Sequence, residues 1–324
     1  MHLSLEDRYY LKLKAVYLYY IEDKTQAEIS ELLHVSRPTL IRLIKEARDD
    51  GLVSITINDT RHSRNHIELE RELCSKLNLT DARIVNSVSD TQDAINNSIG
   101  TATARYLVSL LKTGLVIGIG WGNTLQTMIK HIQADPRIKN LEFVSLIGGL
   151  NTEDGKTYSM FANTLCESIA SNYSDSTVAM LHAPLVVRTK NDVQALLNSS
   201  SLSITFAKMQ KLDVAVVGID GDPLHSTTLR LDKSLNKRRD EIIAKQCVGN
   251  ICGRFYTKTG KMGFLDFEDR LISIKTDELK ATPIVIGAAG GKHKIESIIG
   301  ASRASLFNIL ITDERTAEEL ERNA

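Results

Sequence analysis

A chain of 324 residues with 42% apolar and 25% charged residues is long enough for a small domain beside a larger one that buries its own core. Forty basic residues balance forty acidic ones, which excludes an indiscriminate polyanion binder and requires any nucleic-acid contact to come from a local basic cluster. Apolar runs such as 115–120 and 283–289 fall far short of the roughly 20 residues of a membrane-spanning helix, and Glu6, Asp7 and Arg8 stand where a signal peptide would be basic. A cytoplasmic chain with no membrane partner is expected.

Residues 1–58 read as a DNA-binding domain built on 25–45, TQAEISELLHVSRPTLIRLIK. Thr25 and Glu28 have capping-box spacing, which starts a helix. Ile29, Leu32 and Leu33 are expected on its buried face. His34 and Val35 make the turn, with His34 where such turns often carry glycine. Ser36 offers a second N-cap, Pro38 is tolerated in a first helical turn, and Leu40, Leu43, Ile44 and Ala47 supply the next buried face. The result is a helix-turn-helix, whose second helix enters the major groove with its N-terminal residues toward the base edges. Arg37 and Arg42 are then the base readers, because arginine bonds a guanine edge in bidentate fashion. Ser36 and Thr39 suit phosphates or base edges, Lys45 and Arg48 suit phosphates, and Thr25 and Gln26 complete the DNA-binding set. An ordinary pair of packed helices with a charged outer face is the alternative. Two caps, the turn spacing and four basic residues between 37 and 48 favour DNA. The run 51–57, GLVSITI, is expected to be a wing-like strand.

Residues 59–80 read as a linker, RHSRNH over 61–66, followed by a short amphipathic helix over 67–77. From 81 to 324, β-like runs at 82–85, 115–119, 143–147, 177–181, 214–219, 284–287 and 309–312 alternate with helical stretches. This predicts an α/β effector domain with a mostly parallel sheet and ligands beyond the carboxyl ends of its strands. Cys74, Cys166, Cys247 and Cys252 lack zinc or redox spacing, so buried thiols, no metal and no cofactor are expected.

Three strand-to-helix turns carry the candidate effector residues. In GIGWGNT, Gly120, Trp121, Gly122, Asn123 and Thr124 precede a helix whose exposed amides suit a phosphate. The spacing G-x-G-x-G departs from the dinucleotide fingerprint, which argues against NAD. In IGGL, Gly148 and Gly149 precede Asn163, which can bond a sugar hydroxyl or cap a helix. In GAAGGKHK, paired glycines lead to Lys292 and Lys294, of which Lys294 is the better anion partner. Asp220 and Asp222 in VGIDGD follow a β run and can hold hydroxyls, act as acid and base, or cap the next turn. Asn250 in VGNIC is a further hydroxyl partner.

Together TQAEISELLHVSRPTLIRLIKEARDDGLV, IGIGWGNTL, SLIGGL, DVAVVGID, CVGNI, IGAAGGKHK and LITDERTA resemble the SorC family of sugar-binding bacterial transcriptional regulators over nearly the whole chain. The resemblance implies an effector domain similar to the glucosamine-6-phosphate deaminase and ribose-5-phosphate isomerase fold, used for sensing and not for turnover. It implies a phosphorylated sugar or polyol effector, operator DNA as partner, and a homodimer or homotetramer. It places the phosphate loop at 120–124, Lys294 as cationic partner and Asp220 near the sugar. Two positions depart from the family pattern: its frequent glycine is Asp220 here, and the aspartate of its GDI motif is Asn250. The Schiff-base lysine of one branch is Ile147, which argues against covalent capture. A sugar-phosphate isomerase or deaminase with an accessory DNA-binding head is the rival, with Asp220, Asp222 and His225 as its acid/base candidates.

Overall fold

The computed structural model describes residues 5–53, 63–86, 89–150, 157–263 and 265–324. Two compact units divide it, one ending at Arg61 and the other starting at His62. In the first, α1 (Leu5–Tyr20), α2 (Gln26–Leu32) and α3 (Arg37–Asp49) enclose Ala15, Val16, Leu18, Ile29, Leu40, Ile44 and Ala47. Side-chain caps set both helix starts. The Glu28 amide donates to the Thr25 hydroxyl at 3.3 Å, and the Glu28 carboxylate accepts the Thr25 amide at 2.8 Å. These bonds from Thr25 hold the Glu28 carboxyl below its ordinary pKa. Between the helices His34 takes the left-handed conformation, φ 51°, which glycine adopts without strain.

Leu32 departs from expectation and is 54% exposed. With only two turns in α2, Ile29 and the half-buried Leu33 fill its contact with the core, and Leu32 turns outward beside Lys24, Glu28 and His34. The wing-like strand expected over 51–57 lies, from residue 54 on, outside the described residues.

The second unit opens with α4 (Ser63–Lys76), which begins inside the stretch read as a linker. Residues 61–66 are polar but contain no Gly or Pro to stop a helix. Leu73 and Leu77 are buried in this unit's core, and Glu70 accepts the Ile84 amide at 2.9 Å, so the connecting helix is part of it. Along the chain follow β1 (Asp81–Val85), α5 (Gln92–Leu110), β2 (Val116–Ile119), α6 (Asn123–Lys130), β3 (Glu142–Ser145), α7 (Ala162–Ala170), β4 (Thr177–Ala179), β5 (Val214–Gly218), β6 (Cys247–Ile251), β7 (Arg254–Thr257), β8 (Ile284–Ala288) and β9 (Ile309–Asp313). Further helices lie between these elements, and one, Glu314–Asn323, follows β9.

Seven strands form one parallel sheet in the order β1-β9-β8-β5-β2-β3-β4. Its strands are nearly continuous apolar runs because both faces are covered. Val214 and Val216 point into one core and Ala215 and Val217 into the other. Each such fully buried valine or isoleucine stabilises the fold by about 1.5–3 kcal/mol. The β6–β7 hairpin, which carries Asn250, is antiparallel and was not expected from the sequence.

Candidate functional site

On the first unit, Arg37, Ile41, Arg42 and Lys45 are exposed along α3. The start of this face is ordered by its own caps. Thr39 donates its amide to Ser36 Oγ at 3.3 Å, the two hydroxyls lie 2.8 Å apart, and Arg37 Nε donates to Gln26 Oε1 at 3.3 Å. The first residues of α2 and α3 are thereby tied together. Arg42 keeps 66% of its side chain exposed, 3.8 Å from Glu46, whose carboxylate Arg8 holds at 2.7 Å. Arg48, read as a phosphate contact, is exposed; its Nε donates to the Tyr20 hydroxyl at 2.6 Å and its guanidinium lies 5.5 Å from the ring centroid. Ile41 was missed. At 50% exposure it is the apolar residue on the polar side of α3, and that break in the amphipathic pattern was its signal. An exposed aliphatic group between two arginines suits a thymine methyl.

In the second unit the strand order reverses between β2 and β5, and a cavity of about 280 Å³ opens beyond the carboxyl ends of β2, β5 and β8. Ligands of open α/β sheets bind at such a switch point. One wall is the start of α6. Gln126 donates its amide to the Gly122 carbonyl at 2.9 Å, so the amides of Asn123, Thr124 and Leu125 precede the helical ladder and lack intrahelical partners. Gly122 makes this entry with φ 119°, a conformation an L side chain would strain. Thr124 is buried and donates its hydroxyl to Asn96 Oδ1 at 3.0 Å. Asn96 Oδ1 also accepts Gln92 Nε2 at 3.0 Å, and Gln92 reaches the Gly290 carbonyl at 3.1 Å. Gln92 and Asn96 line the cavity and were not foreseen. A buried asparagine beside Ile95 and Ile99 on α5 was the available signal.

Lys294 enters the cavity from the loop after β8. Among the described residues its ammonium has no hydrogen bond or ion pair. Desolvation pushes its pKa below that of an ordinary lysine, opposed by the Asp220 carboxylate. Lys292 is exposed and outside the lining.

Asp220 also lines the cavity, but its oxygens are occupied. Oδ1 accepts the amides of Gly221 and Thr227, each at 3.0 Å. Oδ2 accepts Ser226 Oγ at 2.7 Å, the Thr228 amide at 2.9 Å, Thr228 Oγ1 at 2.7 Å and Asn250 Nδ2 at 3.1 Å. The two departures from the family pattern, Asp220 and Asn250, are therefore direct partners, and the Asp220 amide donates to the Asn250 carbonyl at 3.0 Å as well. Of the roles open to Asp220, capping the following turn is the one these bonds make. Asp220→Ala leaves buried donors unmatched and is expected to lower stability by about 3 kcal/mol, seen as a lower urea midpoint. An unchanged midpoint would contradict this role.

The cavity brings together Trp121, Gly122, Asn123, Thr124, Asp220, Asn250 and Lys294. Gly120 lies behind the wall, buried, with its amide donating to the Val216 carbonyl at 2.8 Å. Gly148, Gly149 and Asn163 line a separate depression with Leu181 to Pro184. Asn163 there clips two strand ends together, accepting Ser145 Oγ at 2.6 Å and the Leu181 amide at 2.9 Å. Cys252 also faces the cavity, where burial pushes its thiol up to about 12, so it stays protonated and unreactive.

Residues 61–320 match the family model described as "Putative sugar-binding domain". The chain is 29% identical over 314 residues to the deoxyribonucleoside regulator of Bacillus subtilis, covering 96% of each protein. It is 28% identical over 316 residues to the sorbitol operon regulator of Klebsiella pneumoniae, covering 96% of this chain and 97% of that protein. The crystal structure of that full-length regulator, SorC, superposes with a TM-score of 0.71 at 28% identity, over 97% of this chain and 98% of SorC. A transcriptional regulator from Streptococcus pneumoniae superposes with the same TM-score, 0.71, at 27% identity, over 80% of this chain and 98% of that one. Among the described residues no helix is long and apolar enough to cross a membrane.

Proposed function

The chain belongs to the family of sugar-binding domains carried by bacterial operon regulators, and from that premise we propose a cytoplasmic, DNA-binding transcription regulator that senses a phosphorylated sugar or polyol. The observation that carries the effector class is the meeting of the unpartnered Lys294 ammonium with the free amides of α6 in one cavity. Helix-start amides and a desolvated cation suit a phosphate dianion. The polar side chains of Asn123 and Gln92 beside them suit sugar hydroxyls. The first unit reads operator DNA through Arg37, Arg42, Ile41 and Lys45. Two such heads, paired in a homodimer or homotetramer, meet successive major grooves on one DNA face. Effector binding shifts the spacing of the pair through its differential affinity for the two arrangements.

The enzyme alternative requires an acid/base pair facing the ligand. Asp220 is committed to its own turn, which leaves the Asp222 and His225 pair at the rim. The function is tested by a thermal-shift screen of sugar, polyol and acyclic phosphates against their unphosphorylated forms. A ligand at 100 times its Kd stabilises by about 2.7 kcal/mol, or roughly 5–10 °C. Phosphorylated compounds are expected to produce such shifts without being consumed. Equal shifts from the parent sugars would contradict the anion cradle, and turnover would favour the enzyme.

A further inference from the structure

At the rim of the same cavity two loops bring three metal-ligating side chains together. Asp222 and His225 share a tight turn: the His225 amide donates to the Asp222 carbonyl at 3.0 Å and the Leu224 amide to Asp222 Oδ1 at 2.9 Å. The Asp222 carboxylate lies 2.9 Å from His225 Nδ1. His293 comes from the loop after β8, docked where the Asp222 amide donates to its carbonyl at 3.4 Å. Its ring stacks on that of His225 with centroids 3.7 Å apart and planes 17° from parallel. Each of the three can offer a ligand atom within 4.8 Å of the other two, the one such group among the described residues.

We propose that Asp222, His225 and His293 bind a divalent transition-metal ion of the zinc class. Two imidazoles and one carboxylate are a donor set that zinc accepts and that magnesium and calcium, which prefer oxygen cages, do not. Zinc–ligand bonds of about 2.0–2.1 Å in a tetrahedron place ligand atoms about 3.4 Å apart. Both histidines are exposed and Asp222 is half-buried, so small side-chain rotations close the remaining gap without disturbing the core. The two turns fix the backbones that carry the ligands, which lowers the entropy cost of assembling the site. One carboxylate offsets part of the metal charge, while Lys294 and the exposed Lys292 flank His293 in the chain and oppose it. Three protein ligands leave a fourth position for water or for an oxygen of a bound molecule, since His225 and His293 both line the cavity. The proposal stands apart from the identity of the effector.

The test uses the full chain, stripped with a chelator and titrated with ZnCl₂ alone against a chromogenic zinc dye, with Co²⁺ absorption as a reporter of coordination. One zinc per chain is expected, bound at least tenfold more weakly in His225→Ala and in His293→Ala. The metal-free variants should melt as the wild type does, because both side chains are exposed. Tetrahedral Co²⁺ bands should appear in the wild type and vanish in the variants. Absence of stoichiometric zinc, or zinc retained undiminished by the His225→Ala/His293→Ala double variant, would overturn the site.

Discussion

Replacing Lys294 by methionine is expected to raise the melting temperature and at the same time remove the response to a phosphorylated effector. Burial disfavours the charged form, so the folded-state pKa lies below the unfolded one. The unfolded chain then binds this proton more tightly, and the penalty on folding is present in full below the folded pKa. It fades only as pH rises from the folded pKa toward the unfolded value of about 10.4. Methionine fills similar volume without a charge, and each kcal/mol relieved is worth roughly 2–4 °C in a domain of this size. Binding moves the other way. Loss of a desolvated charge contact costs about 2–5 kcal/mol, a fall in affinity of at least ~30-fold. Wild-type affinity should also decline with rising pH earlier than an ordinary lysine would cause, because the ammonium discharges through its lowered pKa. Calorimetry of wild type and Lys294→Met checks all three effects. A less stable variant that still binds would contradict this account.

Arg37→Ala and Arg42→Ala should each cost about 1–3 kcal/mol in discrimination between operator and unrelated DNA, since a bidentate base contact is lost. Lys45→Ala should weaken both kinds of DNA alike and reduce the salt slope by about 1. Arg48→Ala should act on stability, because its guanidinium is bound to Tyr20. Fluorescence anisotropy with a duplex selected from a random pool, and with its scrambled counterpart, separates these outcomes. Preserved discrimination in both Arg37→Ala and Arg42→Ala would remove α3 from the reading role.

The parallel sheet was legible because strands covered on both faces are nearly continuous apolar runs, and all seven β-like runs became its strands, including the edge run 82–85 with its exposed Arg83. Both helix caps in the first unit were legible for a similar reason: a hydroxyl at the N-cap is a local requirement. The β6–β7 hairpin was hidden by its turn. Cys252 and Gly253 occupy the two positions with φ 51° and 79°, where Asn-Gly would have signalled the tight turn. Leu32 misled because a period places residues on a helix face but does not say how wide a face the core covers.

In the candidate effector cavity, strand-end motifs placed Thr124, Asn123 and Lys294 together, since they follow β2 and β8, the two strands that flank β5 at the switch point. Gly148, Gly149 and Asn163 follow β3, on the side of β2 away from β5, and motif type alone could not separate the two positions. Gln92 and Asn96 escaped because they lie inside a helix before any strand-end motif. For Asp220 the sequence left hydroxyl, acid/base and capping roles open, and the bonds its carboxylate makes are capping ones, from six donors that arrive from residues 221–228 and from β6.

An anion held by Lys294 and α6 is expected to control how tightly the protein holds DNA. That control is tested by titrating the selected operator duplex with the full chain, with and without the phosphorylated compound that raises the melting temperature most, for wild type and Lys294→Met. A shift of about 5–150-fold in wild-type DNA affinity is expected, and none in the variant. An unmoved wild-type isotherm at saturating ligand, or an equal shift in Lys294→Met, would contradict it.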